Sequence, residues 1–333
     1  MLRDSKGGLS ITALWILALL SLLTAGLVRN AVVGLRLESY TLRATEAVWL
    51  ARAGVYQAIA VLKSTSAEDT VDSYHAFTQA WAYSPALFKQ IRCGVGFFEV
   101  GYSNESGRDD VRQPIYGVCD ENRKININHA PAEALLRLPG MKAEKVAALM
   151  DWRDEDNETR PGGAEANYYE HNASYPCKNG KFDFVEELRL VKGFNEEEVR
   201  QLAPWITVHG DGKVNINTAP AEVLSMLGIR KEVAKAITKV RQGHDDSPFT
   251  GDDIAFKVPG DLVTQLNQLI KLKPSDQVLL NRLVSEGSLG VQSTHFTIHA
   301  VGVTLNGLVR KMISVTVQRL SDREVQIVAW NEQ

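Results

Sequence analysis

The residues of this chain with the clearest chemical potential lie in one stretch, Asp151-Trp152-Arg153-Asp154-Glu155-Asp156-Asn157-Glu158-Thr159-Arg160-Pro161-Gly162-Gly163-Ala164-Glu165-Ala166-Asn167-Tyr168-Tyr169. A hard cation such as calcium takes about six to eight oxygen ligands, and alternating acidic side chains in a loop supply several at once. Asp154, Asp156, Glu158 and Glu165 fall at the first, third, fifth and twelfth places of an EF-hand spacing. The sixth place, where that loop needs glycine for its sharp turn, is Thr159. The spacing therefore argues against an EF-hand and leaves two readings open, an oxygen-lined site of another design and, as the more ordinary case, a solvated acidic loop. A second acidic stretch, with Asp245, Asp246, Asp252 and Asp253, reads as solvated surface.

Other chemistry finds little footing. Among the histidines, His75, His129, His171, His209, His244, His295 and His299, only His295 and His299 lie four apart, and in a strand they share a face without a third ligand. There is no G-x-S-x-G, no P-loop and no G-x-G-x-x-G after a strand, so no catalytic residue and no organic cofactor is expected. A formal net charge of -3, with no basic run outside the first residues, gives no electrostatic footprint for nucleic acid.

The acidic stretch sits between two copies of a repeat. Asn126-Ile127-Asn128-His129-Ala130-Pro131-Ala132-Glu133-Ala134-Leu135 recurs as Asn215-Ile216-Asn217-Thr218-Ala219-Pro220-Ala221-Glu222-Val223-Leu224, and the echo continues to Arg153 and Arg241. Each copy reads as a helix-hairpin-helix unit, with Pro131 or Pro220 suited to a first turn. Such motifs often bind DNA through a glycine-rich hairpin facing a phosphate. Here each hairpin has a single glycine, in Pro139-Gly140-Met141-Lys142 and Gly228-Ile229-Arg230, and the surroundings are as acidic as basic. The reading is a packing unit, with a membrane-anchored DNA receptor or a type IV pilus accessory subunit as the alternative.

What carries these units begins at the other end of the chain. A polar leader, MLRDSKGG, precedes Leu9 to Val28, twenty residues without a charge. At about 1.5 Å per residue that run spans roughly 30 Å as a helix, enough to cross a bilayer core. Apolar residues then continue at helical spacing from Val33 to Leu62 with no proline, so one helix is expected to leave the membrane and lie on a sheet. Strands are predicted over Gly94 to Ser103, Gln113 to Val118, Thr294 to Thr304, Leu308 to Arg319 and Glu324 to Trp330, with Asn306-Gly307 a hairpin turn. Gly302 marks either a bulge or a close backbone approach. Centring the first hairpin on Ser106 sets Cys93 opposite Cys119, within disulfide reach, and leaves Cys177 over.

The leader that ends in glycine before a retained apolar helix resembles the signal of type IV pilins and pseudopilins, cut here between Gly8 and Leu9, with Gly7-Gly8 as the other bond. The fifth residue after the cut is Ala13, where most of that superfamily has glutamate; its absence, with the W-R-D-x-D and G-G-A-E motifs, Tyr175-Pro176, Asn179, Glu186-Glu187-Leu188 and Val191-x-Gly193, resembles the K-class minor pseudopilin of type II secretion. That resemblance implies calcium, held by Asp154, Asp156, Glu165 and Asn167, with Glu158 and Glu187 as weaker candidates. It implies an inner-membrane protein with a periplasmic body at the pseudopilus tip. Its partners would be the I, J and H classes of minor pseudopilin and the assembly platform, and its role would be to initiate assembly and couple it to export of folded proteins across the outer membrane. The expected fold is α+β: a pilin-like long N-terminal helix on an antiparallel sheet, with a large inserted all-α domain. The boundaries are a leader over 1–8, a membrane helix over 9–28, helix and first strands over 29–127, the insertion over 128–285 and the remaining strands over 286–333.

Overall fold

A computed structural model describes residues 6–64, 74–103, 114–305, 307, 309–321 and 324–332. Its first element is one unbroken helix, α1 (Lys6–Ser64), and the two halves of that helix meet different surroundings. Residues 10–42 are exposed all round, and their composition is apolar enough to cross a membrane. Beyond them Ala47, Leu50, Ala51, Val55, Ala58, Val61 and Leu62 are buried at helical spacing, which turns one face of the second half onto the sheet.

After α1 the chain forms a short helix α2 (Pro85–Phe88), then strands β1 (Ile91–Cys93), β2 (Gly96–Val100), β3 (Tyr102–Ser103), β4 (Pro114–Ile115), β5 (Cys119–Asp120) and β6 (Ile125–Asn126). A helical region follows: α3 (Ala132–Leu135), α4 (Ala143–Arg153), α5 (Ala166–Asn172), α6 (Glu196–Leu202), strands β7 (Ile206–Thr207) and β8 (Val214–Asn215), then α7 (Ala221–Met226), α8 (Lys231–Arg241), α9 (Leu262–Ile270) and α10 (Pro274–Ser285). The chain closes with β9 (Leu289–Gly290), β10 (His295–Thr304), β11 (Arg310–Arg319) and β12 (Val325–Glu332).

The main sheet has the order β1-β2-β10-β11-β12, all antiparallel, with β5 added beside the start of β10. Phe98, Val100, Phe296, Ile298, Ala300, Ile313, Val315 and Val317 point from it onto α1, where they enclose a core with Trp81 and Phe88. Each valine, isoleucine or phenylalanine among them, withdrawn from water, contributes roughly 1.5–3 kcal/mol. The helix lies very close: a Cβ at Gly302 would fall 1.9 Å from the Ala47 carbonyl oxygen, so Gly302 is the close approach. The irregularity of register lies elsewhere, between Thr316 and Val317 of β11.

The helical region has its own core, built around Leu135, Leu149, Trp152, Leu188, Ile206, Ile216, Leu224 and Phe256. Each copy of the repeat begins with a two-residue strand paired in parallel with a later one, β6 with β7 and β8 with β9. Each continues as two helices separated by a glycine of positive φ, Gly140 (+71°) or Gly228 (+94°).

One expectation fails here. Cys93 lies opposite Gly96 in a separate β1–β2 hairpin and is exposed, whereas Cys119 is buried in β5 and lies opposite Thr297 of β10; both are free thiols. Tyr102 pairs with Ile115, so the β3–β4 register differs by five residues from the expected one. The physical reason is that β2 spends its hydrogen bonds on β10, far along the chain, rather than on the next segment. The expected turn at 104–109 and Asn306 of the second hairpin lie outside the described residues.

Candidate metal centre

The paired Asn residues of each repeat are clamps. Asn126 Oδ1 accepts from the Asn128 amide at 2.8 Å, and Asn215 Oδ1 accepts from the Asn217 amide at 2.9 Å. The second Asn then grips returning backbone: Asn128 Nδ2 donates to Phe182 O and Oδ1 accepts from Phe182 N, while Asn217 does the same with Phe256. The arginine that ends each second helix donates back to the motif, Arg153 to Ile127 O and Ala130 O, and Arg241 to Ile216 O. The acidic stretch is thus suspended between two fixed points, Arg153 and Phe182.

Within it Asp151, fully buried at the end of α4, folds the loop back. Its Oδ1 accepts from Arg160 Nη1 at 2.8 Å and its Oδ2 from the Ala164 amide at 2.9 Å. The two glycines of Gly162-Gly163-Ala164-Glu165 have separate reasons. Gly162 has φ +84°, and a Cβ on Gly163 would sit 2.0 Å from Asp151 Oδ2. The turn delivers Glu165, 3% exposed, to the side of the loop that carries Asp154 and Asp156. One ligand oxygen from each of the three lies within 4.8 Å of the others.

Three carboxylates so placed need a positive charge. Burial, and then the negative charge of Asp151, Asp154 and Asp156, pushes the Glu165 carboxyl up to about 7. Arg160 pairs with the Oδ2 of Asp154 as well as with Asp151, which leaves Asp154 Oδ1 free. Buried side-chain oxygens without a hydrogen-bond donor occur on three residues among those described: Asp154 (Oδ1), Glu165 (Oε1 and Oε2) and Asn179 (Oδ1). Orphaned acceptors are costly inside a protein, and those of Asp154 and Glu165, within the group of three carboxylates, fit a cation with oxygen ligands. The Cys177 thiol faces Glu165 from the same segment as Asn179.

Glu158 and Glu187 lie outside this group of three, and Asn167 follows Glu165 by two residues. Asn167, exposed, lies in the first turn of α5, where its backbone oxygen is bonded by His171 Nδ1. Glu158 is exposed, and its amide donates to Asp156 Oδ1. Glu187 accepts from the Asp183 and Phe184 amides and pairs with Lys178, so it is spent on closing a different turn. Asn179, whose Oδ1 also lacks a donor, comes from well beyond the acidic run, and no spacing rule points to it.

A long apolar helix whose second half packs on an antiparallel sheet, with a helical region bearing an acidic centre, defines an α+β subunit whose N-terminal helix fits a membrane anchor. Residues 120–211 match the family described as type II secretion system (T2SS), protein K. Type II secretion system protein K of Pseudomonas aeruginosa is 31% identical over 238 residues, 68% of this chain and 69% of that protein. The Klebsiella pneumoniae protein of the same name is 24% identical over 254 residues, 73% of this chain and 75% of that protein. A chain of the crystal structure of the GspK-GspI-GspJ complex from the enterotoxigenic Escherichia coli type 2 secretion system shares the fold, with TM-score 0.65 and 14% identity over 90% of this chain and 98% of that one. The chain belongs to the type II secretion system protein K family and is a minor pseudopilin. The family is a secretion-system component.

Proposed function

We propose that the chain is cut between Gly8 and Leu9, that the new N-terminus is methylated, and that Leu9–Val28 holds it in the inner membrane with the remainder in the periplasm. It then sits at the pseudopilus tip with the I, J and H classes of minor pseudopilin, above the assembly platform, and starts assembly for export of folded proteins. The observation that supports this reading is the divided helix: exposed and apolar over residues 10–42, buried against the sheet from Ala47 onward. The Escherichia coli neighbour, solved together with GspI and GspJ, supports the I and J partners. Ala13 supports the tip, because a subunit without the acid that meets the amine of the next subunit needs no subunit above it. The helix pairs α3–α4 and α7–α8 serve as helix-hairpin-helix packing units.

Mass spectrometry of the mature N-terminus tests the anchor: a start at Leu9 supports it, and a start near Leu27 indicates an ordinary exported protein. Ala13→Glu tests the tip, since unchanged initiation and tip occupancy would show that the missing charge does not define it.

The reading extends to a calcium ion held by Asp154, Asp156 and Glu165, with Asn167 as the further ligand that the family resemblance implies. It is supported by the buried carboxylate oxygens that find no donor. The ion's charge would hold Glu165 ionised and tie the loop to the end of α4.

A further inference from the structure

The orphaned oxygen of Asn179 does not belong to the acidic run, yet it shares the one property that sets Asp154 and Glu165 apart. Its amide is already oriented. Nδ2 donates to Asp156 O at 2.9 Å and to Asn157 Oδ1 at 2.8 Å, so both donor hydrogens are used on the loop. Oδ1 then projects from the opposite corner of the amide and is buried without a donor. The backbone holds this placement at φ +45°, an uncommon conformation that asparagine tolerates better than most residues. The neighbouring Gly180 amide donates to Trp152 O near the end of α4, which pins the segment to that helix.

We propose that Asn179 Oδ1 is a ligand of the cation held by Asp154, Asp156 and Glu165, so that the ion clasps the loop to the 177–180 segment. The inference rests on the reading of the three carboxylates as a cation site. A neutral amide oxygen beside three carboxylates, drawn from a separate segment, makes an oxygen cage of adjustable width. Such a cage suits calcium, which accepts many oxygens at varied angles, over magnesium, which demands a tight octahedron and keeps its water.

The test uses the full chain in detergent, with calcium and magnesium titrated separately by calorimetry against the wild type, Asn179→Ala and Asn179→Asp. Asn179→Asp separates ligation from scaffolding, because it keeps an oxygen at the position but removes both Nδ2 donors. Expected is a loss of tenfold or more in calcium affinity for Asn179→Ala, affinity equal to or above wild type for Asn179→Asp, and weaker binding of magnesium than of calcium by wild type. An equal loss in both variants would mean that Asn179 acts only through its donors and overturns the proposal; so would an Asn179→Ala chain that binds as wild type does. A wild-type chain that takes up no calcium removes the carboxylate reading itself, a result distinct from either.

Discussion

The two copies of the repeat begin from the same residues and end in different work. In both, the second Asn clamps a returning phenylalanine and the final arginine caps the motif. The first copy hangs a loop between those clamps in which carboxylate oxygens lack donors. The second hangs a shorter acidic loop that closes on itself: Asp252 Oδ2 accepts from the His244 amide at 2.6 Å, Asp245 Oδ1 from Ser247, Asp253 Oδ2 from Phe249, and Asp246 pairs with Lys239. The leading Asn differs as well. Asn126 Nδ2 donates to His209 O and Gly210 O within the helical region, whereas Asn215 Nδ2 reaches His75 O, Ser293 Oγ and Asp120 Oδ2 at the sheet. The same frame occurs twice: one copy carries the candidate cation site, the other the bolt to the pilin-like body. Acidic composition alone does not separate the two loops; what separates them is whether each oxygen finds a donor.

The largest expected effect strikes the first copy. Asp154→Ala with Asp156→Ala should abolish calcium binding measured by calorimetry on the full chain, a loss of at least a hundredfold or about 3 kcal/mol. Retained binding would break the contrast between the loops.

An effect of similar size belongs to the bolt. Asp120, 1% exposed, accepts from Thr218 Oγ1 at 2.5 Å, Ser293 Oγ at 2.7 Å and the Asn122 amide at 2.8 Å. Burial outweighs these bonds and raises its carboxyl from 3.8 to about 6. Because the folded value lies above the unfolded one, the native state holds the extra proton between them. The contribution is therefore complete below about pH 4 and lost as pH rises through about 6. The rise corresponds to about 3 kcal/mol. Denaturant unfolding at a series of pH values should show wild type losing stability relative to Asp120→Asn across that window; parallel curves would show that Asp120 is not the titrating group.

A smaller loss is expected at the clamp of the second copy. Asn217 is 2% exposed, and its amide bonds both the N–H and the carbonyl of Phe256. Asn217→Ala leaves both unsatisfied, for about 2 kcal/mol read from the urea midpoint. A change below about 0.5 kcal/mol would mean that water replaces the clamp.

Much of this was legible in the sequence, and the boundary of legibility is physical. The divided helix follows from local composition, since a charge-free run and an amphipathic run differ residue by residue. Asp154, Asp156 and Glu165 could be read because one short turn, through Gly162 and Gly163, brings them together. The β2–β10 pairing and the Asn179 oxygen could not, because each depends on a contact across a long stretch of chain for which no nearby residue is a marker. The Cys93–Cys119 bridge failed for the same reason: local antiparallel pairing was assumed where β10 had already taken the strand.

The smallest effect sharpens the comparison most. Asp252 is the hub of the second loop, accepting from His244, Asp245 and Thr250, and these bonds hold its carboxyl below the usual range. If the second loop is self-satisfied, Asp252→Asn keeps one oxygen for the two N–H groups but replaces the other, which accepts from Thr250 Oγ1, with an NH2 group and removes the charge. The loop should loosen, seen as a modest fall in unfolding midpoint. Calcium affinity and stoichiometry by calorimetry should stay at wild-type values, because no oxygen of that loop was waiting for an ion. A fall in the number of ions bound would instead show that the second copy also holds a cation, and that hydrogen-bond satisfaction is not what distinguishes the two copies.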